Sequence, residues 1–138
     1  MFDHCLYFNT TALARQLERE WTVAFKALGL SPPQAFLLRA VLDRPGLPQR
    51  ELAAAMVISR PTATRALDGL EKKCLIERRA SDDDGREQFV HPTRKAFAMH
   101  TALNEASGRV TRRLKKLLGE DEFNDAVGKV RGVRSALA

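Results

Sequence analysis

Residues 48–93 constrain this chain more than any other stretch, because signals for helix, turn, helix and hairpin follow one another with almost no spacer. Pro48 or its neighbour can open a helix in which Leu52, Ala53 and Met56 face inward. Val57-Ile58 then make a turn, and Ser59 is a good N-cap for the helix opened by Arg60-Pro61-Thr62. In that helix Ala63, Ala66, Leu67 and Leu70 fall at i, i+3, i+4 and i+7. The stripe must pack inward, which leaves Arg60, Pro61, Thr64, Arg65 and Asp68 outward and Thr62 on the border. Leu75-Ile76 lead into a strand, Glu77 to Ala80, and residues 86–90 return after Asp82-Asp83-Asp84-Gly85. Asp84-Gly85 is a signal for a two-residue hairpin turn. The order predicts a winged helix-turn-helix, a module that lays its second helix in the DNA major groove.

The residue types suit that task. An arginine can bond guanine O6 and N7 in a two-pronged way, and a threonine can offer its hydroxyl or its methyl to a base edge. The N-terminus of the second helix adds backbone N–H groups suited to a phosphate. Arg86, at the hairpin tip, can enter a minor groove, where narrow A·T tracts concentrate negative potential. Asp84, two residues earlier, is placed to orient it by an ion pair. Three consecutive aspartates raise a calcium reading, but the alternating ligand spacing and closing glutamate of a calcium loop are missing. A solvated turn explains them better.

The flanks read as helix. Leu6, Leu13, Leu17, Trp21, Ala24 and Leu28 form one stripe of a long first helix, and Gly29 stops it. Ser31-Pro32-Pro33-Gln34 carries a capping box for a short helix with Phe36, Leu37, Ala40 and Val41 inward, ended by Pro45-Gly46. Thr93 caps a further long helix with Ala96, Met99, Leu103, Ala106, Val110, Leu114 and Leu117 on one stripe. Its outer face carries Arg109, Arg112, Arg113, Lys115 and Lys116. Gly119 breaks the run, and Glu120, Asp121 and Glu122 favour the first turn of a last helix through its dipole. Phe123, Val127, Val130 and Leu137 form that helix's stripe. The fold class expected is mainly α with a small β-hairpin wing. One domain spans 1–138: residues 31–93 make the reading lobe, while residues 1–30 and 94–138 supply dimerisation helices. So much amphipathic helix beyond the lobe is naturally used to pair two copies.

Charge and composition narrow the function classes. A chain of 138 residues with 44% apolar and 29% charged residues is one ordinary globular domain. Residues 1–43 carry four basic and four acidic side chains; residues 44–95 carry eleven and eight; residues 96–138 carry eight and five. The net +6 therefore belongs to the reading lobe and the C-terminal helices, and it favours an anionic partner, double-stranded DNA. No run is long enough to span a bilayer and no secretory signal opens the chain, so the expected setting is the cytoplasm, in association with the nucleoid, with no membrane partner. Two cysteines and three scattered histidines (His4, His91, His100) show no metal-ligand spacing. A phosphate loop, a nucleophile elbow and an acid/base pair are all missing, so neither an enzyme nor a bound cofactor is expected. A dimeric adaptor inactive toward DNA is the competing reading.

The sequence resembles the MarR family of bacterial transcriptional regulators over nearly its whole length. Leu28-Gly29-Leu30-Ser31-Pro32-Pro33-Gln34 resembles the family's junction between dimerisation helix and DNA-binding lobe. Glu51-Leu52-Ala53 through Ser59-Arg60-Pro61-Thr62-Ala63-Thr64-Arg65 resembles its helix-turn-helix. Leu70-Glu71-Lys72-Lys73-Cys74-Leu75-Ile76-Glu77-Arg78, with Asp84-Gly85-Arg86, resembles its wing and its Asp-x-Arg signature. The departures are Val57 and Cys74, where the family usually has glycine, and Pro92 and Ala96 after the wing. The resemblance implies a homodimer, most simply a repressor, on a pseudo-palindromic operator. Its candidate DNA-binding residues are Arg50, Ser59, Arg60, Pro61, Thr62, Thr64, Arg65, Asp84 and Arg86. It also implies a control signal. One form is a small aromatic or phenolic effector held by Trp21, Phe25, Phe36 and Arg39, residues that core packing explains equally well. The other is oxidation of Cys5, near the first helix's start and beside Tyr7, against which inert packing of a cysteine among apolar residues is the simpler reading.

Overall fold

The computed structural model describes residues 1–83 and 85–138. Its elements run α1 (Leu6–Lys26), α2 (Pro32–Asp43), β1 (Leu47–Pro48), α3 (Gln49–Met56), α4 (Arg60–Lys72), β2 (Ile76–Ala80), β3 (Gln88–Pro92), α5 (Arg94–Leu118) and α6 (Glu120–Leu137). Local chemistry sets most boundaries. Ser31 Oγ accepts from Gln34 N and Gln34 Oε1 accepts from Ser31 N, a complete capping box at α2. Ser59 and Thr93 cap α4 and α5 by accepting from the backbone N–H three residues on.

Three helices end alike. After α1, Gly29 N–H reaches Lys26 O and Leu30 N–H reaches Phe25 O. After α3, Val57 bonds Ala54 and Ile58 bonds Ala53; after α4, Cys74 bonds Glu71 and Leu75 bonds Leu70. Each is the paired-bond Schellman turn, which needs one residue in the left-handed region. That residue is Gly29 at φ +70°, Val57 at φ +56° and Cys74 at φ +60°. The turn is so well determined by its paired hydrogen bonds, backed after α1 and α4 by the burial of Leu30 and Leu75, that two of the three exits hold it without glycine.

The three strands form an antiparallel sheet in the order β1-β3-β2. β1, which sequence patterning did not reveal, is two residues pairing Leu47 with Val90 and Pro48 with Phe89. Pro48 is tolerated because β1 is an edge strand. The hairpin also departs from expectation. Ala80 pairs with Gln88 and Ser81 N bonds Glu87 O, so the wing loop is far longer than a two-residue turn, and the return strand starts at Gln88 rather than Arg86. Register is set by Ile76 and Val90, whose burial requires this pairing.

The core joins α1, α2, α3, α4, the sheet and α5 through Phe25, Leu37, Leu38, Val41, Leu52, Leu67, Leu70, Ile76, Val90 and Leu103. Phe36, expected inward, lies on the rim at 37% exposure, because Leu37, Leu38 and Val41 already fill the inner face of α2. Leu117 is exposed and Leu114 half-buried, so the α5 stripe leaves the core after Val110. α6 packs against α5 and buries none of its residues.

Candidate nucleic-acid interface

α4 presents Arg60, Pro61 and Arg65 to solvent at its N-terminal end. Thr64, expected outward, and Thr62, expected on the border, are both half-buried, and their hydroxyls are engaged within the protein. Thr62 Oγ1 accepts from Ser59 Oγ at 2.9 Å and from Arg65 Nη2 at 3.3 Å. Thr64 Oγ1 donates to Arg60 O at 3.0 Å and accepts from Gln49 Nε2 at 2.8 Å, tying α4 to the first turn of α3. On this helix Arg60 and Arg65 are thus the exposed basic side chains, while both threonine hydroxyls bond within the protein.

A cleft of about 500 Å³ opens between α3, α4 and the wing. Gln49 and Arg50 come from α3, Arg60, Ala63 and Thr64 from α4, and Arg86, Glu87 and Gln88 from the wing. Three arginines thus converge on one concave surface. Arg50 Nε donates to Glu87 Oε1 at 2.6 Å, joining α3 to the base of the wing. The expected bracing of Arg86 by Asp84 falls on a residue outside the described ones.

The angle of α4 against the sheet is fixed by a side chain that sequence reading passed over. Arg78, on β2 and only 14% exposed, donates through Nη2 to Asp68 Oδ1 at 2.6 Å and through Nε to Glu71 Oε2 at 3.1 Å. The hydrogen bond from Arg78 holds the Glu71 carboxyl below its ordinary value, and the bond to Glu71 raises Arg78 in turn. Asp68 and Glu71 are three residues apart on one helical face, the signal that could have exposed the bridge. Gly69, between them, faces α2 closely: a Cβ there would meet Gln34.

The other candidates lie elsewhere. Phe25 is fully buried with its ring edge-on to Phe36 at 6.0 Å, and Arg39 sits 5.0 Å over Phe36 while its Nε donates to Asn104 Oδ1 at 2.9 Å. Trp21 Nε1 donates to Ser107 Oγ at 3.1 Å. These four residues are joined to one another or to α5 as packing. A second cleft, of about 470 Å³, lies between α1 and α5; Ala24, Leu28, Ala102, Ala106 and Arg109 help line it, and none of the four does. Cys5 is exposed at the N-cap of α1 in the single chain, and among the described residues no hydrogen bond joins it to Tyr7. No helix of the described residues is long and apolar enough to cross a membrane.

A family model described as the MarR family matches residues 28–87, the stretch that builds α2, α3, α4 and most of the wing. Over that stretch the chain is similar to the MarR family. The regulator MgrA of Staphylococcus aureus is 29% identical over 129 residues, covering 91% of this chain and 86% of its own. The same fold recurs in solved structures. The MepR–DNA complex of S. aureus superposes with a TM-score of 0.86 over 99% of this chain and 100% of that one, at 19% identity. The repressor CouR, bound to a 23-mer duplex, gives 0.88 over 96% and 94%, at 24% identity. This chain is a DNA-binding transcriptional regulator, and the relatives it matches are regulators and not enzymes.

Proposed function

We propose that the chain acts as a homodimeric repressor on a pseudo-palindromic operator. Residues 31–93 form the reading lobe, and residues 1–30 and 94–138 carry the helices that pair two copies. The observation that supports this most directly is the convergence of Arg60 and Arg86 on one cleft beside the exposed Arg65. In this reading Arg60 and Arg65 meet the major groove, with Ser59, Pro61, Thr62 and Thr64 shaping the helix end that carries them. Arg86, with Asp84 beside it, reaches the flanking minor groove. Two recognition helices would enter successive major grooves about 34 Å apart. With about six phosphates contacted, affinity should fall by about 10³-fold between 50 and 200 mM salt. Such work places the protein in the cytoplasm, on the nucleoid.

Selection from random duplexes tests the reading. The expected product is an inverted pair of half-sites, with binding weakened about tenfold or more by Arg65→Ala and also weakened by Arg86→Ala. A pool without enriched half-sites would point instead to an adaptor inactive toward DNA. The α1–α5 cleft supports a secondary element, release by a small apolar or aromatic effector, and the space favours that cleft over the packed Phe25–Phe36–Arg39 column. A thermal-shift screen in which no such compound moves the melting temperature would count against it.

A further inference from the structure

The cleft that gathers Arg50, Arg60 and Arg86 also contains one carboxylate among its described lining residues, Glu87. It follows Arg86 directly and accepts from Arg50 Nε at 2.6 Å, with its side chain 26% exposed against 59% for Arg50. An acid in this place opposes phosphate binding. A phosphate approaching Arg50 has either to displace a charge-assisted hydrogen bond or to sit beside a carboxylate. The same pair spans from α3 to the wing base, so it also holds the wing's spread relative to the recognition helix.

We propose that Glu87 is a specificity-determining residue: it neutralises Arg50, withholds one cation from the DNA backbone, and braces the wing in the geometry the operator requires. Binding to arbitrary duplex is almost wholly electrostatic, set by the number of phosphates neutralised. A protein on arbitrary duplex samples many registers, and in any of them a released Arg50 finds a phosphate. On an operator the base contacts fix one register, and there a braced wing is worth more than an extra phosphate contact. Removing the carboxylate therefore helps arbitrary duplex more than operator.

The inference rests on the DNA-binding reading, and the experiment separates the two. Binding of wild type, Glu87→Gln and Arg50→Ala is measured against salt on a duplex from the selected pool and on a scrambled duplex of equal length and composition. For Glu87→Gln the scrambled duplex should bind up to about tenfold more tightly near 0.1 M salt, with a slope of log K on log salt steeper by about 0.9. The selected duplex should gain less, so the ratio of the two affinities falls. Arg50→Ala should leave the scrambled-duplex slope at the wild-type value, because that charge is already neutralised. An unchanged slope for Glu87→Gln overturns the proposal, as does a slope shallower by about 0.9 for Arg50→Ala. Equal gains on both duplexes overturn the specificity role. A wild type that binds neither duplex overturns the DNA reading itself, whereas binding with an inert Glu87 overturns only this inference.

Discussion

Val57 and Cys74 carry side chains where the backbone turns left-handed, and the cost is local. For an L-residue the left-handed region brings Cβ against the following carbonyl, at about 1–2 kcal/mol, and a β-branched residue there is a rarer outlier still. Val57 is 67% exposed, so its side chain recovers little by burial. Cys74 is held by Thr93 Oγ1, which donates to its carbonyl at 2.7 Å. Replacing either by glycine removes the steric cost but gives the unfolded chain more freedom. The balance favours the folded state. Val57→Gly should stabilise by about 1 kcal/mol and Cys74→Gly by somewhat less, read from urea unfolding midpoints at constant slope. A lower midpoint for Val57→Gly would show that the turn is not strained.

Between elements, the Arg78 bridge is the joint that matters for reading DNA, because it sets how α4 stands on the sheet. Its pH dependence follows from Glu71, whose carboxyl lies below its ordinary value through the hydrogen bond from Arg78. A depressed carboxyl contributes stability that is fully present above its unfolded value, about 4.3, and is lost as pH falls through the lower folded value. Arg78→Gln should therefore destabilise the fold at pH 7, and the gap from wild type should narrow below about pH 4. Chemical denaturation at the two pH values makes the comparison. A gap of equal size at both would mean that Arg78 acts through packing alone. The ion pairs of α5, Arg112 with Glu105 and Arg113 with Glu20, are largely exposed and contribute little.

At the scale of the whole molecule, the first half of α1 and most of the α6 stripe leave apolar side chains exposed among the described residues. Leu6, Leu13, Val127, Val130 and Leu137 are all exposed, and α6 buries nothing. A face of that size on an otherwise charged protein marks an interaction surface, and a second copy is the occupant proposed above. Sedimentation of the wild type should return twice the 15.4 kDa chain mass. The pair Val127→Glu and Val130→Glu should return one chain mass and weaken operator binding, because two linked recognition helices bind with an effective concentration that a single one lacks. If the double variant sediments as wild type does, another surface joins the copies.

What the sequence determined by itself was whatever depends on neighbours along the chain. The caps at Ser31, Ser59 and Thr93, the inward stripe of α4 and the outward Arg60 and Arg65 all follow from periodicities and hydrogen bonds spanning a few residues. Three-dimensional packing decided the rest. β1 exists because Leu47 and Pro48 find β3, a pairing with no local signature. The wing loop is long because burying Ile76 and Val90 fixes the register first, and the Asp-Gly signal must yield to it. Thr64 ties α4 to α3 because Gln49 comes within hydrogen-bonding distance of its hydroxyl. Arg78 with Asp68, and Arg50 with Glu87, join charges 10 and 37 residues apart. Charges so far apart along the chain meet only when the core places their elements side by side, and these two pairs aim the reading surface.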